Sequence, residues 1–266
     1  MDWRAAQAVL RGPAFAPVAE AIGRLDADRS PTLDDLTALA GGAVTSRGLP
    51  VRFVPPRPAR EAGFLPYETR IAERGEVETR PDNWHDLFNA LAWIAFPKAK
   101  AAINAQHAAM LAEGGAGESR RRSPERDALT LFDEGGVVVA ASSPAMLRLI
   151  VDFEWKELFW HRREELARTV RFIAFGHSLL EKMLDPFAGI VAKTVFLPVS
   201  DFFAMLPAQA QASEADALLA AHFAQRPRFA SPRLMAPLPV LGIPGWHPAT
   251  DREAWYDDPD HFRPKP

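Results

Sequence analysis

The clearest pattern of hydrophobic and polar positions follows the polar residue Asn83. Apolar residues recur there at helical spacing, at Trp84, Leu87, Phe88 and Leu91. This pattern predicts a helix over about residues 84–95, with Asn83 as its N-cap. Pro97 cannot lie inside a helix but suits a first turn, so a second helix is expected from Pro97 to about Ala112.

Further along the chain, a 4-3-4-3-4 spacing of Leu166, Val170, Ile173, His177, Leu180 and Leu184 predicts one long helix over about residues 164–184. Residues 69–80 and 128–142 are each interpreted as a small antiparallel hairpin, with turns at Arg74-Gly75 and Glu134-Gly135-Gly136. Shorter elements are predicted at four places: an extended segment at 51–54, a strand at 193–199, and helices after Ser143 and at 215–223.

These elements predict an α+β fold that is mainly helical, with one or two small antiparallel hairpins. No composition break divides the 266 residues, so one domain over residues 1–266 is expected. A polar, glycine-containing loop is expected at about residues 113–127. Prolines recur from residue 226 onward, which predicts an extended C-terminal segment, about 226–266, that wraps over the helical body.

Composition limits the function classes. The chain is 48% hydrophobic and 24% charged, with a formal net charge of −3, which disfavours a protein that binds nucleic acid by neutralising phosphates. No apolar run reaches the length of a membrane span, and no secretion signal is apparent, so a cytoplasmic protein with no membrane partner is expected. The absence of cysteine excludes disulfides and thiolate chemistry.

Three predicted helices each carry a pair of polar side chains one turn apart: His85 with Asn89, Asn104 with His107, and His177 with Glu181. Such a pair suits a divalent ion or general-base catalysis. If the three helical faces converge, they form one polar site between the helices.

The leading hypothesis is therefore a metal-dependent enzyme, a hydrolase acting on a small molecule, with one divalent ion such as zinc, manganese or iron. The metal-ligand candidates are His85, His107, His177, Glu181 and Asp133. The general-base candidates are Asp86 and Glu134, Lys98 and Lys100 would hold an anionic group, and Asn89 and Asn104 would bind the ligand.

Two other interpretations remain open. In the first, the same polar cluster is a non-catalytic module that binds a small ligand or a partner. In the second, the Asn and His side chains only satisfy backbone groups where Pro97 and the hairpins interrupt regular hydrogen bonding. Asp86 has its own structural interpretation, in which its carboxylate accepts from the backbone of Asn83 in a capping box.

Catalytic motifs of other classes are weak. The stretch GHSLL at residues 176–180 lacks the second glycine of a nucleophile elbow, and GGAG at 114–117 lacks the context of a dinucleotide fingerprint. The His85-Asp86 doublet is like that of the histidine–aspartate hydrolases, but no histidine precedes it to supply their first metal ligand.

The combination of NWHDLFNALAWIAFPKAK with the later Asn and His, TLFDEGG, and C-terminal LPVLGIPGW followed by YDD and FRP resembles a bacterial domain family of unknown function. The resemblance extends from about Tyr67 to Pro264. It implies that the polar helices, the Asp133-Glu134 acids and the proline-rich segment belong to one unit of a cytoplasmic bacterial protein. It implies no activity.

Overall fold

Helices form the larger part of the chain and strands the smaller. The computed structural model describes residues 1–58, 65–113, 123–225 and 231–265. The α-helices are α1 (Trp3–Ala6), α2 (Ala19–Gly23), α3 (Leu33–Leu39), α4 (Tyr67–Arg74), α5 (Trp84–Ala95), α6 (Pro97–Glu113), α7 (Pro124–Gly135), α8 (Pro144–Val151), α9 (Arg163–Thr169), α10 (His177–Lys182) and α11 (Ala208–Phe223). The strands are β1 (Arg52–Val54), β2 (Glu76–Glu78), β3 (Gly136–Ala141), β4 (Val170–Ala174), β5 (Val191–Pro198) and β6 (Pro237–Pro239).

The larger sheet has the strand order β4-β3-β5-β6, and β3 is buried along its whole length. It pairs antiparallel with β4 and parallel with β5. Because alternate residues of a strand point to opposite faces, β3 contributes to two cores. Val137 and Val139 pack on one side with Phe15 and Phe88, and Val138 packs on the other side in the core that contains Phe132, Phe175 and Phe223.

The first predicted hairpin is wrong. Residues 67–74 form α4, which ends at Gly75 with a left-handed φ of 67°. The glycine is therefore a helix C-terminus rather than a hairpin turn. The following strand β2 pairs with β1 in parallel and forms a separate two-stranded sheet.

The second predicted hairpin is also wrong. Its first half belongs to α7, so Asp133 and Glu134 lie near a helix C-terminus and not at a hairpin tip. The start signals are present in the sequence, since Ser123 caps the helix by accepting from Arg126 N and Pro124 occupies the first position. Only the second half, β3, is a strand.

The long helix predicted over residues 164–184 is wrong as well. It consists of α9, β4 and α10, and β4 is a run of Val, Arg, Phe, Ile and Ala that favours a strand. His177 consequently begins a helix instead of lying in the middle of one.

Other predictions are confirmed. The structure has the α+β class, the helices α5 and α6 join at Pro97, and Asn83 caps α5 by accepting from Asp86 N at 3.0 Å. Residues 114–122 of the predicted loop, and residues 226–230 and 266 of the C-terminal segment, lie outside the described residues. The described part of that segment contains β6 and short 3-10 helices, and it contributes Leu238, Tyr256 and Phe262 to the core.

No helix in the described ranges has both the length and the apolar character needed to cross a membrane.

A close approach of two backbones sets the position of α10. Gly176 N donates to Gly136 O at 2.9 Å, and a Cβ on Gly176 would lie 2.4 Å from Glu134 O. Only glycine allows this approach, which brings His177 to the C-terminal end of α7.

We predict that Gly176→Ala lowers the free energy of unfolding by about 2–3 kcal/mol, because the added methyl group forces the two backbones apart. Urea denaturation measures the change. Gly135→Ala is the matched control, since a Cβ there meets nothing within 4 Å. An equal loss of stability in both variants would contradict the role given to Gly176.

Candidate functional site

Two histidines meet where α5 and α10 pack together. His85 lies in the first turn of α5, and His177 is the first residue of α10. Their Nε2 atoms are 3.1 Å apart, and their rings meet edge to face with centroids 4.5 Å apart. We call His85 and His177 the histidine pair.

Each imidazole of the histidine pair has a carboxylate behind it. Glu181 Oε2 lies 3.1 Å from His85 Nδ1. Asp133 Oδ2 lies 3.7 Å from His177 Nδ1, which is too long for a hydrogen bond, although its negative charge still favours a proton on that nitrogen. Glu181 therefore contacts His85 on the neighbouring helix. The sequence had predicted that it pairs with His177, four residues before it.

This arrangement determines what the Nε2 atoms present to each other. A carboxylate only accepts hydrogen bonds, so it favours a proton on the Nδ1 that faces it. When both Nδ1 atoms are protonated, both Nε2 atoms carry lone pairs, and these lone pairs face each other at 3.1 Å. Two facing lone pairs repel unless a cation or a proton lies between them.

The state of His177 fits this picture. Its side chain is 8% exposed, and burial lowers its pKa to about 4, an effect that Asp133 opposes only in part. The imidazole is therefore neutral at pH 7, the form that can donate a lone pair to a metal or accept a proton.

A buried ion pair supports the histidine pair. Lys100 Nζ lies 2.6 and 2.8 Å from the two carboxylate oxygens of Asp133, and it donates to Asn89 Oδ1 at 2.9 Å. Burial alone would raise the pKa of Asp133, but Lys100 and then His177 hold it below its usual value. The ammonium of Lys100 has three donors and all have partners, so it compensates Asp133 and leaves no donor for an anionic ligand.

A second polar group lies on the other side of Asn89 and includes two residues that the sequence analysis missed. Tyr67 OH accepts from Asn89 Nδ2 at 2.8 Å, and Glu68 Oε2 accepts from Asn104 Nδ2 at 2.6 Å. Burial raises the pKa of Glu68, and His107 is the largest influence that lowers it. His107 and Asn104 thus lie in the same group as Glu68. Asn89 connects this group to the histidine pair, because it donates to Tyr67 and accepts from Lys100.

Two further candidates have partners of their own. Asp86 accepts from Arg80 N at 2.7 Å, Nε at 2.8 Å and Nη2 at 2.9 Å, so its carboxylate is directed to Arg80 and not to the backbone of Asn83. Burial would raise the pKa of Asp86, but these bonds hold it below its usual value. Lys98 is exposed, and its backbone N–H donates to Asp216, which caps the start of α6.

A cavity of about 280 Å³ opens at the histidine pair. Its lining contains more carboxylates than cations. Arg80 is the one Lys or Arg among the described residues of that lining, and the carboxylates are Glu68, Glu78, Asp86, Asp133 and Glu134. The complete lining is Tyr67, Glu68, Glu78, Arg80, His85, Asp86, Asn89, Thr130, Asp133, Glu134 and His177.

The cavity therefore gathers most of the predicted site residues. Glu134, Asp86, Asn89 and Asp133 join the histidine pair there, with Glu181 behind His85 and Lys100 behind Asp133. Within the described ranges, no three His, Asp or Glu side chains are gathered closely enough to form a ready-made metal site. The sequence analysis did not single out Tyr67 and Glu68, which begin α4, because the residues that follow them were interpreted as a hairpin.

Fold and site together define an α+β protein with two carboxylate-backed imidazoles at a polar cavity. A family model described as "Protein of unknown function (DUF3025)" matches residues 51–266, and the chain belongs to that family. No curated protein and no solved structure matches the chain. The expected likeness to a domain family of unknown function is confirmed, while its bacterial origin stays a prediction.

We predict that Lys100→Met lowers the free energy of unfolding by about 3 kcal/mol, because it leaves the charge of Asp133 buried without its partner. The double variant Lys100→Met/Asp133→Leu should lose less than Lys100→Met alone, since both charges are then gone. Chemical denaturation measures all variants, and the exposed Lys98→Met is the matched control, with an expected change within about 0.5 kcal/mol. Equal effects of Lys98→Met and Lys100→Met would contradict the prediction.

Proposed function

We propose that the cavity at the histidine pair is the active site of a metal-dependent hydrolase. The observation that carries the proposal is the geometry of His85 and His177, whose Nε2 atoms face each other at 3.1 Å while a carboxylate lies behind each Nδ1. Metal-ligating histidines commonly donate their other ring N–H to a carboxylate, as His85 can to Glu181, because the carboxylate fixes the tautomer and raises the basicity of the ligating nitrogen.

The separation of the two nitrogens fits a shared ion. Nitrogen ligands lie about 2.1 Å from zinc, so two of them at angles of 90–110° are about 3.0–3.4 Å apart. The excess of carboxylates in the cavity also favours a cation. Water or substrate would complete the coordination, since only two imidazoles converge directly.

The other side chains then have distinct roles. A bound divalent ion would supply a water of lowered pKa as the nucleophile. Glu134 is the preferred general base, because it lines the cavity and has no cationic partner among the described residues, whereas Arg80 holds Asp86 through three hydrogen bonds. Lys100 keeps Asp133 ionised behind His177 and takes no part in binding an anion.

Metal content is the first test. The protein is purified without chelator or affinity tag, and its zinc, manganese and iron are measured by elemental analysis. We expect close to one ion per chain, lost in His85→Ala and in His177→Ala. His107→Ala is the matched control and should keep the ion, because His107 belongs to the Glu68 group. No bound metal in the unaltered protein would contradict the proposal.

A kinetic test addresses the general base. On whichever chromogenic ester, phosphoester or amide the metal-loaded protein hydrolyses, Glu134→Gln should lower kcat by about 100-fold or more while metal content stays unchanged. Glu125→Gln, at the other end of α7, is the matched control. Equal kcat values for Glu134→Gln and Glu125→Gln would remove Glu134 from the mechanism.

One observation favours a second candidate, a non-catalytic module that binds a small molecule. No three ligand side chains are gathered in the described ranges, so the histidine pair would then share a proton and hydrogen-bond a polar ligand. Saturable binding without turnover in a metal-free protein, weakened by His177→Ala, would favour this function.

A further inference from the structure

A second cavity of about 300 Å³ lies on the neighbouring face of α5. Its apolar wall includes Trp3, Leu33, Leu36, Trp84 and Leu87. We call it the aromatic cavity. Its volume is at the lower end of the range of small-molecule sites.

The aromatic cavity and the cavity at the histidine pair share a wall. Trp84 and Leu87 of α5 line the first, while His85 and Asp86 line the second, and Arg80 lines both. Successive residues of a helix point in directions about 100° apart, so Trp84 and His85 face the two cavities from adjacent positions. Arg80 is therefore the place at which one ligand would extend from one cavity into the other.

Four polar groups of the aromatic cavity are already bonded within the protein. Trp84 Nε1 donates to Met1 O and Trp3 Nε1 donates to Asp26 O. Asn83 Oδ1 caps α5 and Asp2 Oδ1 caps α1. These groups leave apolar and ring surface for a ligand, with Ser30, Asp82 and the Arg80 guanidinium also in the lining.

The ring wall is rigid and formed in advance. Trp3 stacks on Trp84 with centroids 5.9 Å apart, Trp84 on Phe88 at 5.7 Å, and Phe88 on Phe15 at 5.8 Å. A rigid aromatic surface binds a flat apolar group with little loss of conformational entropy.

The turn that carries Arg80 is held in a strained conformation. Asp82 has a φ of 52°, in the left-handed region that residues with a side chain rarely adopt. Arg80 is bound to Asp86 through Nε and Nη2, and within the described part of the chain its Nη1 donors have no hydrogen-bond partner. Such strain is common at binding sites, where the surrounding structure holds it.

We propose that the aromatic cavity binds the flat apolar or aromatic part of the ligand whose polar part lies at the histidine pair, and that Arg80 contacts an anionic or carbonyl oxygen between them. The substrate class is then an aromatic or similarly flat apolar compound that carries a carboxylic ester, an amide or a phosphoester bond. This assignment rests on the proposed function for the reaction, but the binding of the apolar part is tested separately.

The test measures the binding of 2-naphthylacetate to the full chain by calorimetry, with acetate as the comparison. We expect 2-naphthylacetate to bind and acetate to bind at least about tenfold more weakly. Trp84→Ala should weaken the binding of 2-naphthylacetate by about tenfold or more, and Arg80→Gln should weaken it as well. Because Trp84→Ala removes part of the core, Leu87→Phe, which fills the aromatic cavity, provides a second variant.

Two controls separate this inference from the proposed function. Phe202→Ala removes an aromatic side chain that is 74% exposed elsewhere and should leave the affinity unchanged. Metal content is measured in parallel and should stay unchanged in Trp84→Ala, so a loss of 2-naphthylacetate binding in that variant tests the aromatic cavity apart from the proposed hydrolysis. The inference is overturned if 2-naphthylacetate does not bind, or binds equally to the unaltered protein, Trp84→Ala and Leu87→Phe.

Discussion

The ion pair of Lys100 with Asp133 connects the parts on which the site depends. It joins α6 to α7 at distances of 2.6 and 2.8 Å, and through Asn89 it also holds α5. Removing two charges from water is unfavourable unless each finds its partner in good geometry. The fold satisfies this requirement with three short bonds to one ammonium, and the same carboxylate then lies beside His177. The ion pair thus holds the helices together, and its carboxylate also influences the pKa of His177.

The histidine pair needs a second constraint, which is a matter of backbone geometry. β4 runs antiparallel to β3 and is followed closely by Gly176. Because glycine has no side chain, the backbone there can contact the end of α7. α10 starts there, so His177 is fixed near Asp133 by the sheet and not by its own helix. His85 arrives from a different part of the chain, and 92 residues separate the two imidazoles that meet. A site assembled from such distant segments depends on the tertiary fold as a whole.

This dependence explains how much the sequence could predict. The helix α5 and its cap were predictable, because Asn83 and the apolar spacing after it are local signals. The partner of Glu181 was not, since an i, i+4 relation points to His177 while the packing of α10 on α5 selects His85. The spacing of Leu166 to Leu184 matched a helix by coincidence, and pairing with β3 made its middle a strand. Gly75 is compatible with either a hairpin turn or a helix C-terminus. It ends a helix here, and the strand that follows it, β2, pairs with β1 in parallel.

The start of α5 explains why so many hydrogen-bonding residues lie among apolar ones. Trp84 and Leu87 turn toward one cavity, and His85, Asp86 and Asn89 turn toward the other. This part of the helix therefore has an apolar side and a polar side, and because successive residues alternate between the two cavities, apolar and hydrogen-bonding residues are mixed along the sequence. Arg80 is fixed between the faces by the carboxylate of Asp86 from the same helix turn. The wall that separates the cavities is therefore set by the same residues that line them, and a change at Asp86 would alter both cavities through Arg80.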